Sequence, residues 1–258
     1  PENRLADADY AVRPRYWVPR AEVDARLPDG RGWLLGFRDV TNATNERTLV
    51  CAALPRVGVG HKFPLVTGTP SACEGACLLA VLSAFVFDYA ARQKTGGTSL
   101  GYFVLKQLPV PPPAAFAAPA PWDARASLSD WLLPRVLELT YTAWDLAAFA
   151  RDCGYDGPPF VWSDARRALL RAELDAAMFH LYGLARDDAD YVMDTFPIVR
   201  RRDEKAFGEY RTRRLILESY DAMAAAIATG EPYRTVLDPP AADPSVAHPP
   251  REARVLPF

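Results

Sequence analysis

Histidine, cysteine and methionine are scarce in this chain: three His, four Cys and three Met among 258 residues. The shortages of cysteine and histidine each exclude something. Cys51, Cys73, Cys77 and Cys153 are too few for a disulfide framework at this length, so a reducing, cytoplasmic compartment is expected. Cys73 and Cys77 in ACEGACLL, with His61 upstream, lack a fourth partner for zinc; small buried thiols are the plainer reading, and no metal site is expected. The histidines His61, His180 and His248 are scattered. His180 falls in the apolar AAMFHLYGL, where a hydrogen-bonded core histidine is expected rather than a general base. No GxSxG elbow, HExxH, P-loop or GxGxxG is present, so no catalytic or cofactor residues are assigned within this chain. No apolar run reaches the roughly 20 residues of a membrane helix, and no secretory signal is visible, so no membrane partner is expected.

What is present is a balanced, core-forming composition: 50% hydrophobic residues, 24% charged and a formal net charge of −2. The charge is unevenly spread, with 13 Lys/Arg against 10 Asp/Glu in residues 1–113 and 17 against 22 in residues 114–258. A face for nucleic acid must therefore be local. The chain starts at PENRLADADY without Met, which raises the expectation that it belongs to something longer.

Proline sets the expected boundaries. LPVPPPAAFAAPAPWDARAS (108–127) holds six prolines and reads as a semi-rigid Pro/Ala-rich linker over 114–127. A second Pro-rich stretch, 237–258, reads as a tail with little structure of its own. Before the linker, YWVPRAEV (16–23), GWLLGFRDV (32–40), RTLVCAALP (47–55) and GYFVLKQLPV (101–110) read as strands, with PDGRG (28–32) as a tight turn. EGACLLAVLSAFVFDYAARQK (74–94) switches to helical spacing and is expected to form one long buried helix, with the glycines of TGGT (95–98) as its cap. After the linker, residues 127–154, 163–184, 186–196 and 203–230 carry helical periodicity, with Ser163 or Asp164 as one N-cap and Gly230 as one C-terminus. The expected fold class is α+β: a strand-rich mixed α/β domain over 1–113, then a smaller all-α helical domain over 128–236.

Polar clusters stand out against this frame. In RDVTNATNERTL (38–49), Arg38, Thr41, Asn42, Thr44, Asn45 and Arg47 offer the donors and acceptors that base edges require. Arg56, His61 and Lys62 follow in LPRVGVGHKFP, on either side of Gly58 and Gly60; Arg92, Lys94 and Thr98 close the long helix. Arg200, Arg201 and Arg202 open RRRDEKAFGEYRTRR (200–214), the densest positive run. Two readings stand side by side: a surface for phosphates and bases, or turn-forming amides, helix C-terminal cations and solvated i,i+4 pairs such as Glu209 with Arg213.

DVTNATNERTLVCAALPRVGVGH, then LLAVLSAFVFDYAARQKTGGTSLGYFVLKQLPVPPP, resembles the C-terminal target-recognition region of type IIG restriction–modification and phage-defence DNA adenine-N6 methyltransferases. AELDAAMFHLYGLARDDADYVMDTFPIVRRRDEKAFGEYRTRRLILESYDAM resembles the helical segment that follows in the same proteins, so the likeness spans about residues 10 to 240. The resemblance implies an upstream methyltransferase domain that binds S-adenosylmethionine and swings an adenine out of the duplex. Its Asn/Asp-Pro-Pro-aromatic loop is not supplied here: GPPF (157–160) lacks the Asn/Asp, and DPPA (238–241) lacks the aromatic. The implied role is duplex DNA recognition without catalysis. The resemblance supplies the region and not base-by-base partners; side-chain chemistry assigns Arg38, Asn42, Asn45 and Arg47 toward bases and Arg56, Lys62, Arg92 and Lys94 toward phosphates. An interaction module that packs on the parent's methyltransferase, helicase or nuclease portion is the alternative, and an independent enzyme the third.

Overall fold

The computed structural model describes residues 2–27, 30–68 and 71–251; Pro28 and Asp29 of the expected PDGRG turn lie outside them. About 49% of the chain is helical and the sheets are small and antiparallel, so the class is α+β with helix dominant. Two short helices, α1 (Glu2–Leu5) and α2 (Arg20–Asp24), precede β1 (Trp33–Phe37), which pairs antiparallel with β2 (Cys51–Pro55) from Trp33↔Pro55 to Phe37↔Cys51. These are the two strands expected around RDVTNATNERTL. The first body is otherwise not strand-rich. YWVPRAEV runs into α2, and GYFVLKQLPV forms the short helix α5 (Tyr102–Leu105). Pro14 precedes the first of these and Pro19 lies within it; each removes an amide donor that a sheet would need.

Every residue of β1 is buried, so neighbours must come close on both faces. Gly36 permits one approach: a Cβ there would lie 2.6 Å from the Pro64 carbonyl oxygen, where residues 63–66 cross the strand. Phe37 N–H donates to Pro64 O at 3.0 Å and Val66 N–H to Leu35 O at 2.7 Å, so this stretch acts as a rudimentary third strand. On another side Trp33 meets Phe149 edge-to-face at 5.0 Å.

The expected single helix over 74–94 is two. α3 (Ala72–Ser83) starts with a capping box in which Ser71 Oγ accepts from Glu74 N–H at 3.1 Å and Glu74 Oε2 accepts from Ser71 N–H at 3.0 Å. It stops at Ala84, whose ψ of 150° is extended, and α4 (Phe85–Lys94) departs at 65°. Three remote groups hold the break. Asp175 Oδ1 accepts from Phe85 N–H at 2.6 Å, Arg47 donates to the Ser83 carbonyl, and Phe85 packs edge-to-face on Phe196 at 4.7 Å. α4 ends at Lys94 on an extended Thr95, not on a left-handed glycine of TGGT. No single described helix is long and apolar enough to cross a membrane; the bent α3–α4 pair passes only by length and composition.

The Pro/Ala-rich stretch is folded. It contains α6 (Pro113–Ala117) and a hairpin of β3 (Pro119–Ala120) with β4 (Asp123–Ser127), and it buries Phe116 and Trp122 at 6% and 1% exposure. Trp122 packs on Trp131 at 5.0 Å. Then come α7 (Leu128–Thr140), a 3-10 turn Trp144–Leu146, α8 (Ala147–Asp152), α9 (Asp164–Leu181), α10 (Arg186–Asp194), α11 (Pro197–Phe207) and α12 (Arg211–Thr229). The expected 203–230 helix divides at Gly208, in the left-handed region at φ 77°, where Asp203 Oδ2 accepts from Thr212 N–H at 2.6 Å. Ser163 and Gly230 do cap α9 and α12 as their sequence positions predict.

α9 is the axis, packed on α4, α7 and α12, and it is buried nearly all round. Its Glu173 is fully buried, paired with Arg135 at 2.7 Å, and accepts from Tyr233 Oη at 2.8 Å and Thr235 Oγ1 at 2.5 Å. Glu138 on α7 takes Arg166 and the Ala242 N–H at 2.9 Å, while His248 N–H donates to Pro159 O at 2.7 Å. The stretch 237–251 is thus bonded to the helices although it is mostly irregular. One continuous cluster of buried side chains runs from Trp33 to Tyr233.

The folded character of the Pro/Ala-rich segment is testable. Trp122→Ala should lower unfolding free energy by about 3–5 kcal/mol in urea titration, as for a core aromatic. A solvated linker would lose less than about 0.5 kcal/mol.

Candidate nucleic-acid interface

The stretch that joins β1 to β2 is built from its own polar groups. After β1, Asp39 is bracketed: its N–H donates to Lys62 O at 3.0 Å, its O accepts from Leu100 N–H at 2.8 Å, and its carboxylate takes Lys62 Nζ at 2.8 Å and the Ser99 hydroxyl. Those two partners hold Asp39 below the usual carboxylate range. Thr41 is buried, donating its N–H to Thr98 O at 3.0 Å and its hydroxyl to Thr48 O. Asn42 makes an Asx turn, its Oδ1 accepting from both Thr44 N–H and Thr44 Oγ1 at 2.9 Å.

The far end of the stretch is threaded onto Asp88 of α4, which has no exposed surface. Its carboxylate accepts from Thr48 N–H at 2.9 Å and Leu49 N–H at 2.7 Å, with Arg47 Nε at 3.2 Å and Arg92 Nε at 3.7 Å. Both guanidinium groups lie over rings, Arg47 at 4.1 Å from Phe85 and Arg92 at 3.9 Å from Phe196. Arg92 also donates to Asn45 O at 2.7 Å, Glu46 O at 2.8 Å and Thr195 O at 3.0 Å.

Four expected contacts are therefore corrected. Thr41, Arg47 and Arg92 point their polar atoms into the protein, because Asp88 and the loop carbonyls need them. Arg56 is 11% exposed at its side chain and pairs with Asp24 at 2.7 Å. The positive run is also spoken for in part: Arg200 pairs with Glu204 at 2.8 Å, Arg201 donates to Pro197 O at 3.3 Å, and Arg202 pairs with Glu46 at 2.5 Å. Glu209 pairs with Arg214 at 2.8 Å rather than with Arg213, which binds Asp190. Asn45 lends only its carbonyl to the clasp and is half-buried.

Outward-facing are Arg38, Asn42, Thr44, His61, Lys62, Lys94 and Thr98. The structure gathers His61, Lys62 and the 98–100 stretch around Asp39, with Arg38 beside it in the chain; Lys94 stands at the C-terminus of α4. A neighbouring segment escaped the sequence reading. In AVRPRYWVPR (11–20), Tyr16 and Trp17 are 76% and 78% exposed, and Arg13, Arg15 and Arg20 accompany them with no acid among the ten residues. Val18 closes against Gly58, to which a Cβ would approach within 3.2 Å, so the segment lies beside the loop carrying His61 and Lys62. The signal was available: two prolines and three arginines interleaved with aromatics describe a solvated ribbon better than a strand.

Among the described residues, no group of three or more His, Cys, Asp and Glu is placed to hold a metal ion. His180 stacks on Tyr220 at 3.9 Å with Nε2 3.0 Å from the Tyr220 carbonyl, and burial holds it below its ordinary pKa, as expected for a core histidine. No protein-family model, curated protein or solved structure matches the chain.

Two measurements check this account. Asp88→Asn should cost about 3–5 kcal/mol in urea denaturation, since it leaves two arginines beside an uncharged amide; Arg38→Ala, on the surface, should stay within about 0.5 kcal/mol. Asp175 is pushed up to about 6 by burial, against the help of Arg47 and the Phe85 N–H. The folded state therefore keeps this proton to higher pH than the unfolded chain, and the stability it contributes is lost as pH rises through about 6. Asp175→Asn, which retains an acceptor oxygen, should gain about 1–3 kcal/mol relative to wild type between about pH 4 and about pH 7.

Proposed function

We propose that this chain is the target-recognition part of a site-specific DNA adenine-N6 methyltransferase of restriction–modification or phage-defence type. It binds duplex DNA and positions the target base for an S-adenosylmethionine-dependent domain carried by the same parent protein. In this reading residues 1–113 form the recognition unit and residues 128–236 the helical unit that follows it. The chain supplies recognition and not chemistry.

The observation that carries the reading is the exposed ribbon 11–20, with Tyr16 and Trp17 uncovered among three arginines and no acid. Arginine tracks phosphate without regard to sequence, and aromatic faces stack on bases that leave the duplex. Beside it, Arg38, His61, Lys62 and Thr98 extend the same chemistry, and Asn42 and Thr44 present amide and hydroxyl groups at a turn. The resemblance of DVTNATNERTLVCAALPRVGVGH to the recognition region of such methyltransferases points the same way. The revision is in the roles: Arg47, Arg92 and Thr41 shape the loop from within, and DNA contact passes to the residues outside it.

A second reading has its own observation. Phe103 is 82% exposed and Val12 74%, apolar surface that suits docking on the rest of the parent protein.

Fluorescence anisotropy with a labelled duplex decides between them. The chain should bind weakly, with affinity falling steeply between about 50 and about 200 mM salt, and Arg13→Ala with Arg15→Ala should flatten the log–log salt slope by about 2. Asn42→Ala should change preference among sequences instead of weakening all alike. Salt-independent binding, or none, would overturn DNA recognition and select the docking reading. Methyl transfer by this chain alone from S-adenosylmethionine would overturn the division of labour.

A further inference from the structure

Arg167 on α9 is 7% exposed, yet its Nε and Nη1 have no hydrogen-bond partner among the described residues. Its guanidinium lies 3.6 Å from the centre of the Trp162 ring, and no described carboxylate comes within ion-pair distance. The nearby acids are engaged elsewhere. Asp164 accepts from the Trp162 indole N–H at 2.9 Å, and Glu138 is held by Arg166 and the Ala242 N–H. Burial, with the Arg171 charge adding to it, pulls the Arg167 guanidinium down to about 10.

One turn along α9, on the same face, Arg171 is exposed and likewise makes no ion pair among the described residues. Arg47 and Arg202 stand near enough for their positive charges to act on it, opposed by Asp175. Asp175 is itself buried and holds the Phe85 N–H. Arg202 is 57% exposed at its side chain, with Glu46 as partner. Arg202 and Arg47 each have a carboxylate of their own, Glu46 and Asp88, so Arg167 and Arg171 are the pair on this face without one.

A buried cation without a counter-charge is costly, and an oxyanion reaching the guanidinium would supply one. We propose that Arg167 and Arg171 form a binding site for a phosphate-type oxyanion, seated against Trp162. The planar guanidinium forks match a tetrahedral oxyanion in a way that lysines would not. The site stands independently of the DNA-recognition reading: a free phosphate and a phosphate of a nucleic-acid backbone carry the same chemistry.

Thermal unfolding of the full chain tests it, with inorganic phosphate titrated against sodium chloride at matched ionic strength. Phosphate should raise Tm saturably by about 2–8 °C. Arg171→Gln, on the surface, should lower the phosphate affinity at least tenfold while the protein stays folded. Arg167→Gln should likewise lose phosphate binding, yet unfold no earlier than wild type in chloride, because it removes an unpaired buried charge; a purely structural clamp on Trp162 would instead lose stability. Competition by an unlabelled duplex would assign the site to backbone phosphate, and phosphate binding unaffected by duplex would assign it to the free ion; both sustain the proposal. No phosphate effect beyond chloride, or an undiminished effect in Arg171→Gln, overturns it.

Discussion

The structure depends on the fully buried carboxylate of Asp88. It collects two backbone N–H groups and two guanidinium groups, and through them it settles where a twelve-residue polar stretch, helix α4 and the α10–α11 junction stand relative to one another. Arg92 reaches from this carboxylate to Thr195 O on one side and to Asn45 O and Glu46 O on the other. A buried ionic cluster of this kind adds little net stability over an apolar equivalent, but removal of one member is severe. Its value is geometric. Each contact ties the loop to α4 or to the α10–α11 junction.

This explains why the polar stretch could not be read from sequence alone. Asn, Thr and Arg serve an internal clasp as readily as a ligand, and the residue that decides lies 40 positions from Thr48. The broken helix was hidden for the same reason: its apolar spacing continues through Ser83 and Ala84, whereas the groups that stabilise the bend come from Arg47 and Asp175. Proline content misled in another way. It correctly excluded a central strand between residues 108 and 127, but it carried no information on Trp122 and Phe116, whose burial is a tertiary event.

What was legible was local. The two strands flanking the polar stretch, the Ser163 and Gly230 helix ends and the core character of His180 each follow from side chains within a few residues. Of the residues that sequence chemistry offered for a surface, Arg38, Asn42, Thr44, His61, Lys62, Lys94 and Thr98 are exposed, whereas Thr41, Arg47, Arg56 and Arg92 are engaged within the protein. The segment at 16–23 was weighed as a strand for its branched and aromatic residues, when its prolines were the stronger signal.

Glu173 carries a consequence for how the molecule is made. Its carboxylate sits at the centre of α9, and beside Arg135 its remaining partners are Tyr233, Thr235 and the Val236 amide. During synthesis α9 leaves the ribosome some sixty residues ahead of them, as the separations of 60 to 63 positions require. Without that later stretch Glu173 would keep the Arg135 guanidinium and lose its hydroxyl and amide donors, so the segment after α12 completes the solvation of a charge at the centre of the bundle.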